Sequence, residues 1–458
     1  MNKVNAVVSR KVKVIALFCF VAIILISFLK VALEWEDAEQ AYYSQWFRLG
    51  YDDQPPLYTW VQILINKCVG LNRFSLAGLR AFWFSGTLIM FYKLATKFVG
   101  DKLKAEVGVF LLFLIPVFID FNFRRLSHTS MMCFFSVSLY YVFSLLIVSK
   151  SYKNYILFGV ILVGGILTKY NFLLILPAFG IIALFDVEAK QVLWNRKILL
   201  SVLLTCVLIS PHLYWLFENK EYLLLLKESM EVKTKSNTLR GVVIITPFFS
   251  FLKSFINLIA LSILLFSIAY FRKEVALKSI SRDWFSKLFI IQLSVTVLIF
   301  VGINSSKISD RWLLPLFLPF FILLLNCFQF KKIEAWKKWS MRVFIFIIFL
   351  QIFRTPVEKI VGIDSSVHHS FSIIADKLDK FSEKQWNLPD VTYAGSVKFE
   401  RPNKIVYSAD DFTLPRTKID SSNTIFVLKE KQKGFLVKDS VNGFGEAKET
   451  VYFCLKQN

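Results

Sequence analysis

The stretch EWEDAEQAYYSQWFRLGYDDQPPL, residues 34–57, carries six carboxylates in a chain whose formal net charge is +22. A carboxylate beside a substrate hydroxyl can take its proton as a general base. Clustered carboxylates can also hold a hard divalent cation such as Mg²⁺, Mn²⁺ or Ca²⁺, and acidic residues in a first helical turn can do no more than favour the helix dipole. Glu36 and Asp37 are the first candidates for chemistry. Asp53 is another, and its place before Pro55 and Pro56 equally suits a turn residue that shapes the loop. A second set of charged groups, Arg80, Arg124, Arg125, Lys169 and Arg311, falls at the ends of apolar runs. There a long cationic side chain can contact an anionic ligand, or merely reach the headgroup layer.

The elements that position these residues are membrane spans. The chain is 55% hydrophobic and 16% aromatic over 458 residues, and several runs approach the roughly 20 apolar residues that cross a bilayer. Spans are expected at about 14–33, 76–92, 105–119, 129–148, 155–170, 172–185, 198–216, 255–271, 288–302, 313–330 and 342–354, about eleven in all. Short basic loops such as Lys93–Lys104, Lys150–Lys153 and Lys331–Arg342 alternate with less basic ones, so the N-terminus is expected in the cytoplasm and the acidic loop after the first span on the outer side. This sidedness accounts for the positive charge without nucleic acid, and no nucleic-acid partner is expected. The six Cys and four His show no metal-ligand spacing. A basic start followed by an apolar run with no small-residue cleavage site predicts a retained first helix.

Residues 34–48 contain no helix breaker and predict a helix along the membrane interface, with Tyr42, Tyr43 and Trp46, and Trp60 beyond it, as interface anchors. From about residue 355 the composition turns polar. SFSIIADKLDKFSEKQW predicts an amphipathic helix, and VTYAG, KIVYSAD, NTIFVLKE and ETVYFCLK predict short strands between turn residues. The expected organisation is therefore an all-α polytopic membrane domain, residues 1–354, followed by a small α/β extracytoplasmic domain, residues 355–458.

Four motifs carry a resemblance to a known family. Glu36-Asp37-Ala38 followed by GYDDQPPLYTW, LRAFWFSGTLIMFYKLATKFVG (79–100), LTKYNFLLILP (167–177) and DRWLLPLFLPF (310–320) resemble, in the same order, the GT-C superfamily of polyprenyl-phosphate-sugar-dependent glycosyltransferases. The branch is the bacterial group similar to protein O-mannosyltransferases and lipid A aminoarabinose transferases. The acidic pair is reversed here, Glu-Asp for Asp-Glu, which leaves open whether Glu36 or Asp37 is the reactive carboxylate. Many relatives carry an acidic residue at the start of the fourth span. Here that place reads RRLSHTSMM, and Asp120 or His128 is the local substitute.

The resemblance implies transfer of a sugar, with inversion, from a polyprenyl-phosphate donor held in membrane lipid to an extracytoplasmic glycolipid or protein acceptor, at the bacterial inner membrane. It implies a loop carboxylate (Glu36, Asp37 or Asp53) as base. Lys169 and Arg311, with Arg80, Arg124 and Arg125, would contact the donor phosphate, arginine through its bidentate fork and lysine as a point charge. A divalent metal such as Mg²⁺ or Mn²⁺ is used by some relatives and is not assigned. The rival readings are a transporter or flippase of lipid-linked sugars, for which paired broken-helix repeats are missing from the sequence, and a polysaccharide polymerase or ligase.

Overall fold

The structure is a computed structural model that describes residues 8–457 except 53, 126, 221–239, 280, 306–307, 415–418 and 447. Asp53, one of the expected carboxylates, thus lies outside the described residues.

Along the chain, α1 (Arg10–Phe28) is followed by α2 (Trp35–Tyr43) and α3 (Leu57–Val69). Glu36 and Asp37 fill the first turn of α2, where carboxylates favour the positive end of the helix. Pro56 precedes α3, and Gly70 ends it with a φ of 79° that a side chain would resist. Next come α4 (Arg73–Val99), α5 (Lys102–Leu111), α6 (Pro116–Arg124) and α7 (Ser127–Val148). The start of α4 is a reciprocal cap, with the Asn72 and Ser75 side chains each accepting from the other's backbone N–H. The series continues through α8 (Tyr152–Ile166), α9 (Leu176–Phe185), α10 (Val187–Leu193), α11 (Ile198–Glu218), α12 (Arg240–Phe271) and α13 (Trp284–Gly302). Then follow α14 (Asp310–Phe317), α15 (Phe320–Asn326) and α16 (Ile333–Val361).

Among the described residues, six helices are long and apolar enough to cross a membrane, or up to eight if each of two sharply bent pairs counts as one span. The α5–α6 pair bends by 75°, and the pair running from Tyr170 to Leu193 by 119°. The expected run 313–330 is divided. Pro319 cannot donate within the helix and sits at the start of α15, so α14 and α15 are separate short helices. The chain ends that stretch in β2 (Phe328–Phe330), antiparallel to β1 (Val275–Leu277).

The C-terminal region forms a mixed five-stranded sheet of order β4-β3-β5-β7-β6. Its strands are β3 (Gln385–Leu388), β4 (Ile405–Ser408), β5 (Thr424–Leu428), β6 (Phe435–Phe444) and β7 (Glu449–Lys456). Before β3 lies α17 (Ser372–Leu378), the expected amphipathic helix. Between β3 and β4 runs α18 (Val391–Glu400), which joins two parallel strands as such a crossover must. This corrects the expected strand at VTYAG. Asp390 caps the helix by accepting from the Tyr393 N–H at 2.9 Å, and that cap outweighs the β-preference of Val391, Thr392 and Tyr393. KIVYSAD, NTIFVLKE and ETVYFCLK are strands as expected, while β3 and β6 went unread.

Contacts divide the chain into two compact units. One holds residues 1–20, 82–122 and 128–348, and the other residues 21–81, 123–127 and 349–458. The second unit therefore joins the first acidic loop to the C-terminal sheet. Its core packs Trp386, Leu388, Val406, Ile425 and Phe453 with Tyr42, Tyr43 and Tyr51. Trp46 stacks on Tyr407 at 5.7 Å, and Trp60 packs on the same core. The aromatics expected as interface anchors are thus core residues of this unit, because the sheet gives their rings an apolar surface to cover. A Cβ on Gly395 of α18 would run into the Ala38 backbone of α2, so the two helices meet backbone to backbone.

Candidate functional site

The first carboxylates of α2 point in different directions, and each meets a different partner. Asp37 is buried and paired with Arg80, itself fully buried on α4. Among the described residues, the Arg80 Nε and Nη2 have no hydrogen-bond partner, so one nitrogen of the fork serves Asp37 and two nitrogens, with three N–H donors, remain. Glu36 is half-buried and accepts from the Ser127 backbone N–H at 2.5 Å. It thereby holds the short 123–127 segment that carries Arg124 and Arg125. Glu34, just ahead of α2, bridges Lys30 at 2.8 Å and Arg124 at 3.3 Å. Arg124 reaches on to the Thr355 hydroxyl at 3.3 Å and to Glu358 at 3.8 Å, and Lys30 donates to the Arg124 carbonyl at 3.1 Å.

Burial sets the electrostatics of this cluster. It lowers the Lys30 ammonium to about 8, against the pull of Glu34. Burial alone would raise Glu34, but Lys30 and Arg124 bring it below the usual carboxylate range. Burial also pushes up the phenol of Tyr58, which faces Arg80, Asp37 and Ser127.

Beside the cluster lies a cleft of about 560 Å³ inside the same unit. Glu39 and Tyr43 of α2 line it, with Arg125 from the 123–127 segment and Asp390, Tyr393 and Lys429 from the sheet region. Trp35, Glu39 and Tyr43 are spaced one helical turn apart, so a single face of α2 looks into the cleft. Glu36 and Asp37 lie off that face.

The remaining expected residues belong to the first unit. Lys169 is extended and half-exposed before the turn at Tyr170–Ile175, and its Nζ donates to the Thr129 hydroxyl at 2.9 Å. His128 is buried at the start of α7, and Asp120 is half-exposed in α6. Arg311 is exposed in the first turn of α14. The second unit thus brings Glu36, Asp37, Arg80, Arg124 and Arg125 together, and the other four lie in a separate body. Among the described residues, no three His, Cys, Asp or Glu side chains are grouped to hold a metal ion.

Sequence reasoning passed over Lys30, Glu39, Asp390 and Lys429. Glu39 stood in the acidic stretch, and the three-residue step from Glu36 was the signal available. Asp390 and Lys429 carry no motif, and only the fold brings them to α2.

The family model described as dolichyl-phosphate-mannose-protein mannosyltransferase matches residues 53–215. In sequence and fold the chain is similar to membrane glycosyltransferases. Individual relatives are more specific. The lipopolysaccharide core galacturonosyltransferase RgtB of Rhizobium johnstonii is 24% identical over 393 residues, which cover 83% of this chain and 78% of that protein. RgtA of the same organism is 25% identical over 330 residues, covering 70% and 64%. Among solved structures, ArnT from Cupriavidus metallidurans bound to undecaprenyl phosphate aligns with a TM-score of 0.58 at 12% identity, over 96% of this chain and 97% of that one. Its apo state gives a TM-score of 0.55 at 13% identity with the same coverage.

Proposed function

We propose that the chain moves a sugar from a polyprenyl-phosphate donor to the glycan of an extracytoplasmic glycolipid, by one displacement that inverts the anomeric carbon. The acceptor hydroxyl loses its proton to a carboxylate of α2. Its oxygen bonds to the anomeric carbon as the bond from that carbon to the phosphate oxygen breaks, and the electron pair leaves on the polyprenyl phosphate. The observation that carries the reading is the buried Asp37–Arg80 pair, with two guanidinium nitrogens not hydrogen-bonded among the described residues and Arg124 and Arg125 held nearby by Glu34 and Glu36. Growing charge on a phosphate oxygen needs donors fixed in advance, and a buried arginine clamped by a carboxylate is fixed. In this reading Asp37 and Glu36 act by holding Arg80 and the 123–127 segment. Lys169 and Arg311 are proposed as phosphate-binding residues within the first unit.

The similarity to lipopolysaccharide core glycosyltransferases supports a glycolipid acceptor, and ArnT, solved with undecaprenyl phosphate, supports the lipid donor. We place the chain in the inner membrane with a cytoplasmic N-terminus. A topology of about eleven crossings fits if the bent pairs, α8, the α14–α15 pair and α16 cross along with the six long helices.

The test is transfer of labelled sugar from synthetic undecaprenyl-phosphate sugars in membranes that contain the chain. Wild type is expected to form a new glycosidic bond, and the double variant Glu36→Gln, Asp37→Asn to lose it. Full transfer by that variant removes the α2 cluster from the site. Movement of the lipid with no new bond favours a flippase.

A further inference from the structure

We infer that the cleft between the end of α12 and the start of α16 is a lipid site, and that it takes the headgroup of phosphatidylethanolamine, with the phosphate at Arg272 and the ammonium at Glu274. The inference rests on α12 and α16 lying in a membrane and not on sugar transfer, so the two readings fail separately.

The cleft has a volume of about 380 Å³ and lies within the first unit. Leu265 and Ile268 of α12, Arg272 and Glu274 just beyond it, and Trp336 and Trp339 of α16 line it. Its size is within the range of about 300–1,000 Å³ usual for ligand clefts. The Arg272 N–H still donates to the Ile268 carbonyl at 2.9 Å, so the helical path continues to it. Leu261, Leu265, Ile268 and Arg272 therefore share one face, an apolar stripe that ends in a cation. On α16, Trp339 and Phe346 are two turns apart on one face. Leu261, Ile268, Trp339 and Phe346 are exposed large apolar side chains, as acyl chains meet on the flank of a span.

The polar end is held in place. Trp336 is buried, stacked on Phe266 at 5.7 Å and edge-on to Phe330 at 5.1 Å, and Phe266 stacks on Phe328 at 4.5 Å. Phe328 and Phe330 belong to β2, whose partner β1 starts directly after Glu274. The Lys331 N–H donates to the Glu274 carbonyl at 3.1 Å, and the Glu274 N–H to the Ala269 carbonyl at 2.8 Å. Between Arg272 and Glu274, Lys273 has a φ of 58°, the left-handed conformation that usually falls to glycine at a helix end. A side chain resists it, and here it turns the chain so that the residues on both sides of Lys273 line the cleft.

The lining thus offers one guanidinium, one carboxylate and two indoles. A phosphate accepts from the arginine fork and a primary ammonium donates to a carboxylate, while the face of an indole attracts a cation. Phosphatidylethanolamine carries that phosphate and that ammonium two methylene groups apart. A wholly anionic headgroup would set like charge against Glu274, and the trimethylammonium of phosphatidylcholine has no N–H to give it. The surrounding surface is strongly basic, since residues 272–282 and 331–342 carry nine Lys and Arg against two carboxylates. Such an excess is what sidedness asks of loops on the cytoplasmic face, where the proposed topology has them. It draws anionic lipid to the rim in general, and the choice of headgroup is left to the lining.

The experiment titrates the purified full chain, stripped of lipid in detergent, with phosphatidylethanolamine, phosphatidylglycerol and phosphatidylcholine of matched acyl chains. Bound lipid is read by native mass spectrometry. One phosphatidylethanolamine should be held about tenfold more tightly than either other lipid, a difference of roughly 1.4 kcal/mol. Glu274→Gln, at an exposed position, should bring phosphatidylethanolamine and phosphatidylglycerol within about threefold of each other. Arg272→Ala should weaken phosphatidylethanolamine by at least about tenfold, with Arg272→Lys in between because lysine keeps the charge and loses the fork. Lys338→Ala removes an exposed cation outside the lining and should change nothing. Unchanged melting of the lipid-free variants shows that the fold is kept, and if Arg272→Ala melts early, Glu274→Gln decides. The inference is overturned if phosphatidylglycerol binds wild type as tightly as phosphatidylethanolamine, or if Glu274→Gln keeps the preference. It is also overturned if Lys338→Ala weakens binding as much as Arg272→Ala, which leaves only a general basic surface. No sugar donor is present, so a chain that transfers nothing can still bind the lipid, and a chain that transfers normally can still fail this test.

Discussion

Replacing Asp37 by Asn separates a clamp from a chemical group. Arg80 has no exposed surface, and among the described residues its ion pair is with Asp37. The substitution keeps the shape and removes the negative charge, leaving a buried guanidinium without a counter-ion. Breaking a buried pair in this way costs roughly 3–5 kcal/mol, a shift of about two to four powers of ten in the local folding equilibrium. Removing both charges together is far milder, since a buried pair replaced by apolar groups of similar size is often neutral. Four proteins are compared: wild type, Asp37→Asn, Arg80→Met and the combined Asp37→Leu, Arg80→Met. Melting followed in detergent, with proteolysis at residues 34–57 as a local probe, should show both single variants weakened and the combined variant close to wild type. Transfer should be lost in all three variants, including the stable one, because Arg80 is gone or misplaced in each. Two results refute the reasoning: an Asp37→Asn protein as stable as wild type, or a combined variant that transfers sugar normally.

Three further outcomes follow from the same unit. Arg48 donates to Asp411 at 3.0 Å and Tyr42 donates to it at 2.9 Å, both where Asp411 is buried. Asp411→Asn should therefore cost about 3 kcal/mol, and hydrogen exchange should show α2 and the strand ending at Ser408 loosening together. Gly395→Ala should cost upwards of about 3 kcal/mol, since the added carbon meets the Ala38 backbone, and should appear as poor recovery of folded protein from membranes. Lys30 is lowered to about 8 from 10.5 by burial. The folded state thus sheds this proton first, and the stability it contributes rises as pH climbs from about 8 to 10.5. The rise is at most roughly 3 kcal/mol, and it should vanish from the melting profile of Lys30→Met.

Much of this was legible in the chain, for local reasons. Apolar runs mark long helices because crossing a bilayer demands them. The acidic opening of α2 marks a helix start, and runs of β-branched and aromatic residues in NTIFVLKE and ETVYFCLK mark strands. The misreadings are physical too. At VTYAG the β-branched and aromatic residues argued for a strand, and one capping aspartate reversed it. At 313–330 hydropathy ran straight through Pro319, where the helix divides. The site was legible as a carboxylate loop with cations, but not in its partners. Nothing in the spacing of Tyr42 and Asp411, or of Glu39 and Lys429, signals that hundreds of intervening residues return to the same place. Nor could the spacing of Glu36, Asp37 and Glu39 tell which carboxylate would line the cleft, because that depends on what the rest of the fold brings to each face.

The close packing of α2 on α18 has a consequence for how the protein is made. Tyr42, Tyr43 and Tyr51 leave the ribosome about 330 residues ahead of the first strand of the sheet that covers them. At about 5–20 residues per second, the loop waits on the order of half a minute with its rings uncovered beside a newly inserted helix. Any chain cut short before β3 would keep its first acidic loop without the surface that buries it, and would present quality-control proteases with an exposed aromatic segment. The C-terminal sheet thus acts as a completion check on the first acidic loop.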